Sequence, residues 1–114
     1  RNKIRESRYN RIISDARKYI EENYNKEDIT LNSVAASVNV SPNHFSSVFK
    51  SETGQTFVEF LTNVRIERAK ELLRSTSMKS SEIGFEVGYK DPHYFSFIFK
   101  KTCGMTPKEF RQEQ

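Results

Sequence analysis

Two sets of side chains, 50 positions apart, have the chemistry to contact the edges of nucleic-acid bases. The first set is Asn43, Ser46, Ser47 and Lys50, and the second is His93, Ser96, Phe97 and Lys100. Amide, hydroxyl and imidazole groups donate and accept hydrogen bonds, and a lysine ammonium reaches guanine acceptors or a phosphate. Phe97 offers only apolar contact, for example with a thymine methyl group, or else it packs on another domain.

Both sets belong to a repeated segment. Residues 42–60 and 92–110 share nine identical positions, which in the first copy are Pro42, Phe45, Ser46, Phe49, Lys50, Gly54, Thr56, Glu59 and Phe60. Each copy predicts a short helix, a turn of three or four residues and a capped second helix, and the second turn is one residue longer. That arrangement is typical of a helix-turn-helix, whose second helix can lie in a major groove.

The second helix of each copy is predicted to have an apolar side and a hydrophilic side. The helical period places Phe45, Val48, Phe49 and Glu52 together, and likewise Phe95, Ile98, Phe99 and Thr102. The two candidate sets fall on the opposite sides. The repeat therefore predicts two helices that turn their hydrophilic sides toward the same edge of the molecule.

The remaining pattern predicts an all-α fold of seven helices. They cover residues 11–24, 31–38 (capped by Thr30), 42–53, 56–74, 80–87 (capped by Ser80), 92–103 and a segment opened by Thr106-Pro107. We divide the chain into a linker remnant (1–10), an N-terminal lobe with the first helix-turn-helix (11–55), a connecting helix (56–74) and a C-terminal lobe with the second helix-turn-helix (75–114). Gly84, inside the fifth helix, suggests close approach of the sixth.

Composition limits the classes of protein. Only 35% of the 114 residues are hydrophobic, which favours several small cores, and no apolar run is long enough to cross a bilayer. The aromatic residues are assigned to the core except Phe97 and Tyr94, and the single cysteine, Cys103, to a small buried position. A single cysteine and the absence of a secretory signal favour the cytoplasm. With no phosphate loop, nucleophile elbow or paired metal-ligand motif, the sequence predicts neither an enzyme nor a cofactor.

Longer motifs carry a family resemblance over residues 12–111. Arg65-x-x-Arg68-Ala69-x-x-Leu72-Leu73, Val87-Gly88-Tyr89, Phe99-Lys100-Lys101 and Gly104-Met105-Thr106-Pro107 resemble the DNA-binding domain of the AraC/XylS family of bacterial transcription regulators. The chain also looks like the output domain of YesN-type response regulators, which have a receiver domain upstream. The resemblance implies two helix-turn-helix lobes joined by a long helix, each inserting its second helix into successive major-groove segments of one promoter. It implies base contacts at the two candidate sets, with Lys50 and Lys100 as base or phosphate contacts.

Charge predicts an asymmetry between the lobes. Residues 27–60 have one basic and four acidic side chains, whereas residues 61–114 have ten basic and seven acidic ones. We therefore expect the second lobe, with Lys90, Lys100 and Lys101, to supply more of the salt-dependent affinity. The first lobe would rely on amide N–H groups at capped helix ends, and the candidate ends are Ser41, Thr56 and Thr106.

Two other classes remain open at this point. The chain could be a helical protein-interaction module anchored by aromatic residues, or, with least support, an enzyme. The solvated side of the connecting helix could face a partner such as RNA polymerase. The operator, the genes controlled, the sign of regulation, the signal and the missing N-terminal effector or receiver domain are not encoded in these residues.

Overall fold

The computed structural model describes the chain from Asn2 to Gln114, with side chains described from Glu6 onward. This range contains no β-strand and seven helices, which confirms the predicted all-α fold. They are α1 (Asn2–Asn23), α2 (Leu31–Ser37), α3 (Pro42–Thr53), α4 (Phe57–Ser75), α5 (Ser80–Glu86), α6 (Pro92–Cys103) and α7 (Pro107–Gln112).

The first helix is longer than predicted. It begins at Asn2, so the segment 1–10, interpreted as a linker remnant because it has no capping or periodic pattern, is helical in its described part. Arg1 lies outside the described residues. The Tyr9 ring lies edge-on to His44 of α3 at 6.0 Å between centroids, which gives α1 a packing contact before Arg11. The segment is also rich in arginine and other good helix formers, which need no apolar stripe to continue a helix.

Caps fix most of the helix starts. Thr30, Ser41 and Thr106 accept backbone N–H groups through their hydroxyls, as predicted. The predicted Ser80 cap is wrong. Ser80 is the first helical residue of α5, and the cap position is Lys79, whose N–H donates to the Glu82 carboxylate at 2.9 Å. This is the glutamate half of a capping box, in which the carboxylate three residues on accepts the N–H of the cap residue.

The chain forms two compact units, and the boundary between them falls within α4. The first comprises the residues up to Asn23 together with Asp28–Leu61. Its buried apolar residues are Ile12, Ile13, Ala16, Ile20, Ile29, Val34, Ala35, Phe45, Val48, Phe49, Phe57 and Leu61. The Phe49 ring lies 5.3 Å from both the Phe45 ring and the Phe60 ring, so aromatic contacts tie α3 to α4.

The second unit comprises Tyr24–Glu27 and Thr62–Gln114 and has its own core. Its buried cluster is Ile66, Ala69, Leu72, Leu73, Ile83, Val87, Tyr89, Phe95, Phe99 and Phe110. A Cβ atom at Gly84 would lie 2.7 Å from the Phe95 ring, which confirms the predicted close approach of α6. Each unit has a small core, as the low apolar fraction predicted.

The turns of the two helix-turn-helix motifs share one backbone feature. Asn39 in the first turn has φ +60°, and Gly88, its counterpart at an offset of 49, has φ +110°. The second turn is one residue longer, as predicted, but the turns have four and five residues because α2 and α5 each end one residue early.

Four predicted side-chain positions differ in the structure. Glu52 and Thr102, assigned to the apolar sides of α3 and α6, are exposed, and both lie in the last turn of their helices. Cys103 is half-buried, with its thiol 3.2 Å from the Phe99 carbonyl oxygen. Phe85, assigned to the core, is 70% exposed on α5. Among the described helices, none has the length and apolar character needed to span a membrane.

Candidate nucleic-acid interface

The α3 helix separates its apolar and hydrophilic sides as predicted. The Ser41 hydroxyl accepts the His44 N–H at 3.1 Å, and Pro42 occupies the first helical position. Phe45, Val48 and Phe49 are buried. The four candidate base-contacting residues of this helix are all exposed: Asn43, Ser46, Ser47 and Lys50.

Lys50 is directed to the end of its own helix. Its Nζ donates to the Gly54 carbonyl oxygen at 3.1 Å, close to the negative end of the helix dipole. A contact with DNA therefore competes with this local hydrogen bond.

The α6 helix, like α3, has a buried apolar side and an exposed side, but its exposed side is more apolar than that of α3. Asp91 Oδ1 accepts the His93 N–H at 2.9 Å, an acidic cap where α3 has a serine. Phe95 and Phe99 are buried. Of the candidate residues, His93, Phe97 and Lys100 are exposed, and Ser96 is half-buried.

Two aromatic rings stand on the outer side of α6. Phe97 is 60% exposed and Tyr94 is 51% exposed, which agrees with the prediction that these two lie outside the core. Their ring centroids are 6.3 Å apart, and Tyr94 also lies 5.8 Å from Tyr89. Tyr94 and Phe97 therefore form an aromatic pair on the surface of α6.

The candidate phosphate contacts at helix ends are already used in capping. The Thr56 N–H donates to Glu59 at 2.9 Å while the Thr56 hydroxyl accepts the Glu59 N–H at 3.1 Å. Thr106 and Glu109 repeat this arrangement at the same distances. Hydrogen bonding to the backbone N–H of Thr56 and of Thr106 lowers the pKa of Glu59 and of Glu109 respectively. Each capping box therefore places a carboxylate beside a helix start where a phosphate would approach.

The second unit has two further lysines among the candidate phosphate contacts, Lys90 and Lys101, and among the described side chains only Lys90 has an acidic partner. Lys101 is exposed on α6, whereas Lys90 lies 3.2 Å from Oε1 of Glu27, with both side chains more than half exposed. Glu27 was not among the residues selected from the sequence. It stands 63 positions before Lys90, and no short motif connects the two.

Two arginines of the second unit hold loops through backbone carbonyls. Arg65 is 9% exposed. Its guanidinium group donates hydrogen bonds to the carbonyl oxygens of Tyr24 at 2.7 Å and Lys26 at 3.1 Å. Its guanidinium carbon lies 4.9 Å from the centroid of the Tyr89 ring. Arg111 donates to the carbonyls of Leu73, Thr76 and Met78. One local pattern in the sequence indicates that Arg65 is buried. Arg65 is four residues from both Leu61 and Ala69, on the buried stripe of α4.

Comparison with known proteins decides the family. The family model described as "Helix-turn-helix domain" matches residues 34–113. The C-terminal domain of AraT, a response regulator from Geobacillus stearothermophilus, is 44% identical with a TM-score of 0.88, covering 90% of this chain and 85% of that one. The chain belongs to the AraC-type helix-turn-helix domains.

Other relatives place this AraC-type domain among transcription regulators. The C-terminal domain of the two-component response regulator yesN from Fusobacterium nucleatum is 36% identical, with a TM-score of 0.82, covering 84% of this chain and 93% of that one. The lactose operon transcription activator of Staphylococcus xylosus is 40% identical over 102 residues, covering 90% of this chain and 36% of that protein. The AraC-type domain is thus the DNA-binding domain of a transcription regulator. It spans from about a fifth to three fifths of the first curated relatives it matches.

Proposed function

We propose that this domain binds double-stranded promoter DNA sequence-specifically, with α3 and α6 in adjacent major-groove segments. One observation carries the proposal: each helix buries a pair of phenylalanines and exposes a hydrophilic side, within a domain of this family. A helix held by its apolar side can present the opposite side to base edges.

The proposed base contacts are the side chains already described, which are exposed except for the half-buried Ser96. Asn43, Ser46 and Ser47 read one segment, His93, Ser96 and Phe97 read the other, and Lys50 and Lys100 contact a base or a phosphate. The amide and hydroxyl groups of the first set suit hydrogen-bonded readout. The Phe97 ring makes the second set partly apolar.

We propose that the two lobes contact the phosphate backbone of the DNA through different groups. Lys101, Lys100 and, less freely, Lys90 supply charge in the second lobe. In the first lobe Ser41 and Thr56 begin helices, and the capping box of α4 leaves the N–H groups of Phe57 and Val58 for a phosphate. Ser41 and Thr106 are weaker helix-end candidates than Thr56, because a proline, which has no N–H to offer, follows each of them.

The length of α4 agrees with a bipartite site. Its 19 residues extend over roughly 28 Å, and adjacent major-groove faces are about 34 Å apart. We infer that residues 11–55 and 75–114 act as two DNA-binding lobes joined by the connecting helix.

The whole protein is proposed to be a cytoplasmic bacterial activator or dual regulator. Relatives include response regulators and an operon activator, which supports an effector or receiver domain N-terminal to this one. The exposed side of α4, with ion pairs such as Arg68–Glu71, is a candidate surface for RNA polymerase.

A protein-interaction module remains the second candidate because Phe85, Tyr94 and Phe97 are all more than half exposed. An apolar patch of that kind can mark a protein contact. Catalysis has no comparable observation in its favour.

Selection of bound sequences from random duplexes at near-physiological salt tests the proposal. The native domain should enrich two short blocks about one helical turn apart. Asn43→Ala should relax only one block and His93→Ala only the other, because each removes a side chain from one reading helix. Lys18→Ala, an exposed charge loss on α1, should leave both blocks unchanged.

No enrichment over bulk DNA would overturn the proposal and favour the interaction module. Enrichment of a single block, altered by both variants, would overturn the bipartite arrangement.

A further inference from the structure

The outer side of α6 contains a surface cleft with an unusual lining for a DNA-reading helix. Its volume is about 370 Å³, and it is lined by Ser96, Phe97, Lys100, Lys101 and Thr106. Almost the whole exposed wall is apolar, although four of the five lining residues are polar or charged. Carbon from the Phe97 ring and from the lysine stems accounts for such a wall.

The Phe97 ring is the aromatic part of this wall. It is 60% exposed, and its contact with Tyr94 at 6.3 Å ties it to a second ring on the same helix. Exposed apolar surface of this size gains free energy only when another apolar group covers it.

The major groove offers one such group. Among the base edges exposed there, the donors and acceptors of all four base pairs are polar, and only the C5-methyl group of thymine is apolar. The charge around the cleft fits the same partner, since Lys100 and Lys101 belong to its lining and an ammonium is attracted to the flanking phosphates.

We propose that the Phe97 cleft receives the 5-methyl group of one thymine in the half-site read by the second lobe. The proposal rests on the proposed function and makes it more specific: at that position the domain recognises a pyrimidine methyl group, whereas the first lobe reads hydrogen-bonding edges. Thymine is preferred to cytosine because of a methyl group, so 5-methylcytosine substitutes for it better than cytosine does.

Scanning with deoxyuridine tests this directly, because deoxyuridine differs from thymidine by that methyl group alone. The probe is a fluorescent duplex carrying the sequence enriched in the selection, with each thymidine replaced in turn. At one position in the second block the substitution should weaken binding about three- to fivefold, the value expected for one buried methyl group. A C·G pair there should bind more tightly when the cytosine is 5-methylated.

The variants assign the effect to the cleft. Phe97→Ala should lower affinity for the thymidine duplex and abolish the difference between thymidine and deoxyuridine, whereas Phe97→Leu should retain part of it. Phe85→Ala is the matched control, because it also removes an exposed phenylalanine from the second unit but one outside the cleft lining. It should leave the difference unchanged.

Two results would overturn the inference while leaving the proposed function intact. One is binding to the selected duplex with no deoxyuridine-sensitive position in the second block. The other is a sensitive position that stays sensitive in Phe97→Ala, which would assign the methyl contact to another residue. Failure to select any sequence would overturn the proposed function itself.

Discussion

The ammonium nitrogen of Lys90 lies 3.2 Å from Oε1 of Glu27, so a cation just before α6 is already paired with a carboxylate of the same unit. Both side chains are largely exposed, and an exposed pair of this kind contributes little to stability. Its effect is expected on DNA binding, where we propose that Lys90 exchanges the carboxylate for a phosphate.

Glu27→Gln should therefore raise affinity for the selected duplex about two- to fourfold and steepen the salt dependence of binding. Fluorescence titrations at several salt concentrations measure both quantities. Asp28→Asn removes the same charge one position away without a partner at Lys90. If the two variants raise affinity equally, the ion pair has no specific role.

The charge asymmetry between the lobes predicts unequal lysine effects. Lys100→Ala should lower the slope of log K against log salt by about 0.9, the amount expected for one lost phosphate contact. Lys50→Ala should change it less, because Lys50 donates to the Gly54 carbonyl in the free domain. An equal or larger change from Lys50→Ala would remove the asymmetry, and Lys18→Ala reports the effect of net charge alone.

Arg65 and Arg68 allow a comparison within one helix. Arg65→Met leaves the Tyr24 and Lys26 carbonyls without their donor and should lower the free energy of unfolding by about 2–3 kcal/mol. Arg68→Met breaks an exposed ion pair with Glu71 and should cost about 0.5 kcal/mol or less. Urea unfolding of both variants measures the difference, and similar losses would contradict the role assigned to Arg65.

Gly84 has no room for a methyl group. Gly84→Ala should destabilise the domain by roughly 1–2 kcal/mol, because overpacking against Phe95 exceeds the gain of about 1 kcal/mol in helix propensity. Ser81→Ala, at an exposed position of the same helix, provides the propensity control in the same unfolding assay. A stabilised Gly84→Ala variant would show that the Phe95 ring moves away at little cost.

The capping-box carboxylates predict loss of stability in acid. The pKa values of Glu59 and Glu109 are lowered from 4.5 because their carboxylates accept N–H groups in the folded domain. Each carboxylate binds a proton more readily in the unfolded chain, so its contribution is complete above pH 4.5 and is lost as the pH falls through the lowered folded pKa. Thermal unfolding between pH 6 and pH 3 should show a smaller acid-induced fall in Tm for Glu59→Gln or Glu109→Gln than for the native domain. An unchanged pH profile in both variants would contradict this assignment.

Local chemistry explains why so much of the fold was predictable. Three helix starts are marked by a capping residue followed by a proline, which suits the first helical position: Ser41-Pro42, Asp91-Pro92 and Thr106-Pro107. From each start, the helical period places Phe45 and Ser47 on different sides of α3, and Phe95 and Phe97 on different sides of α6. The pairing of Lys90 with Glu27 and the hydrogen bond from Arg65 to the Tyr24 carbonyl are contacts across 63 and 41 positions, which no local rule describes. The assignment of Phe85 to the core was wrong for a related reason. An aromatic residue type favours burial but does not specify which side of a short helix is covered. The contacts of the candidate base-reading residues with DNA stay predictions.

The residues with positive φ in the two turns, Asn39 and Gly88, cannot be exchanged equally in both directions. Asn39 at φ +60° occupies a conformation that asparagine tolerates and glycine also reaches, so a glycine graft at that position is permitted. The reverse graft fails, because at Gly88 the φ of +110° suits glycine alone and a Cβ atom would lie 2.9 Å from both the Arg65 guanidinium and the Tyr24 carbonyl oxygen. Chimeric domains can therefore carry glycine at position 39, but not asparagine at position 88.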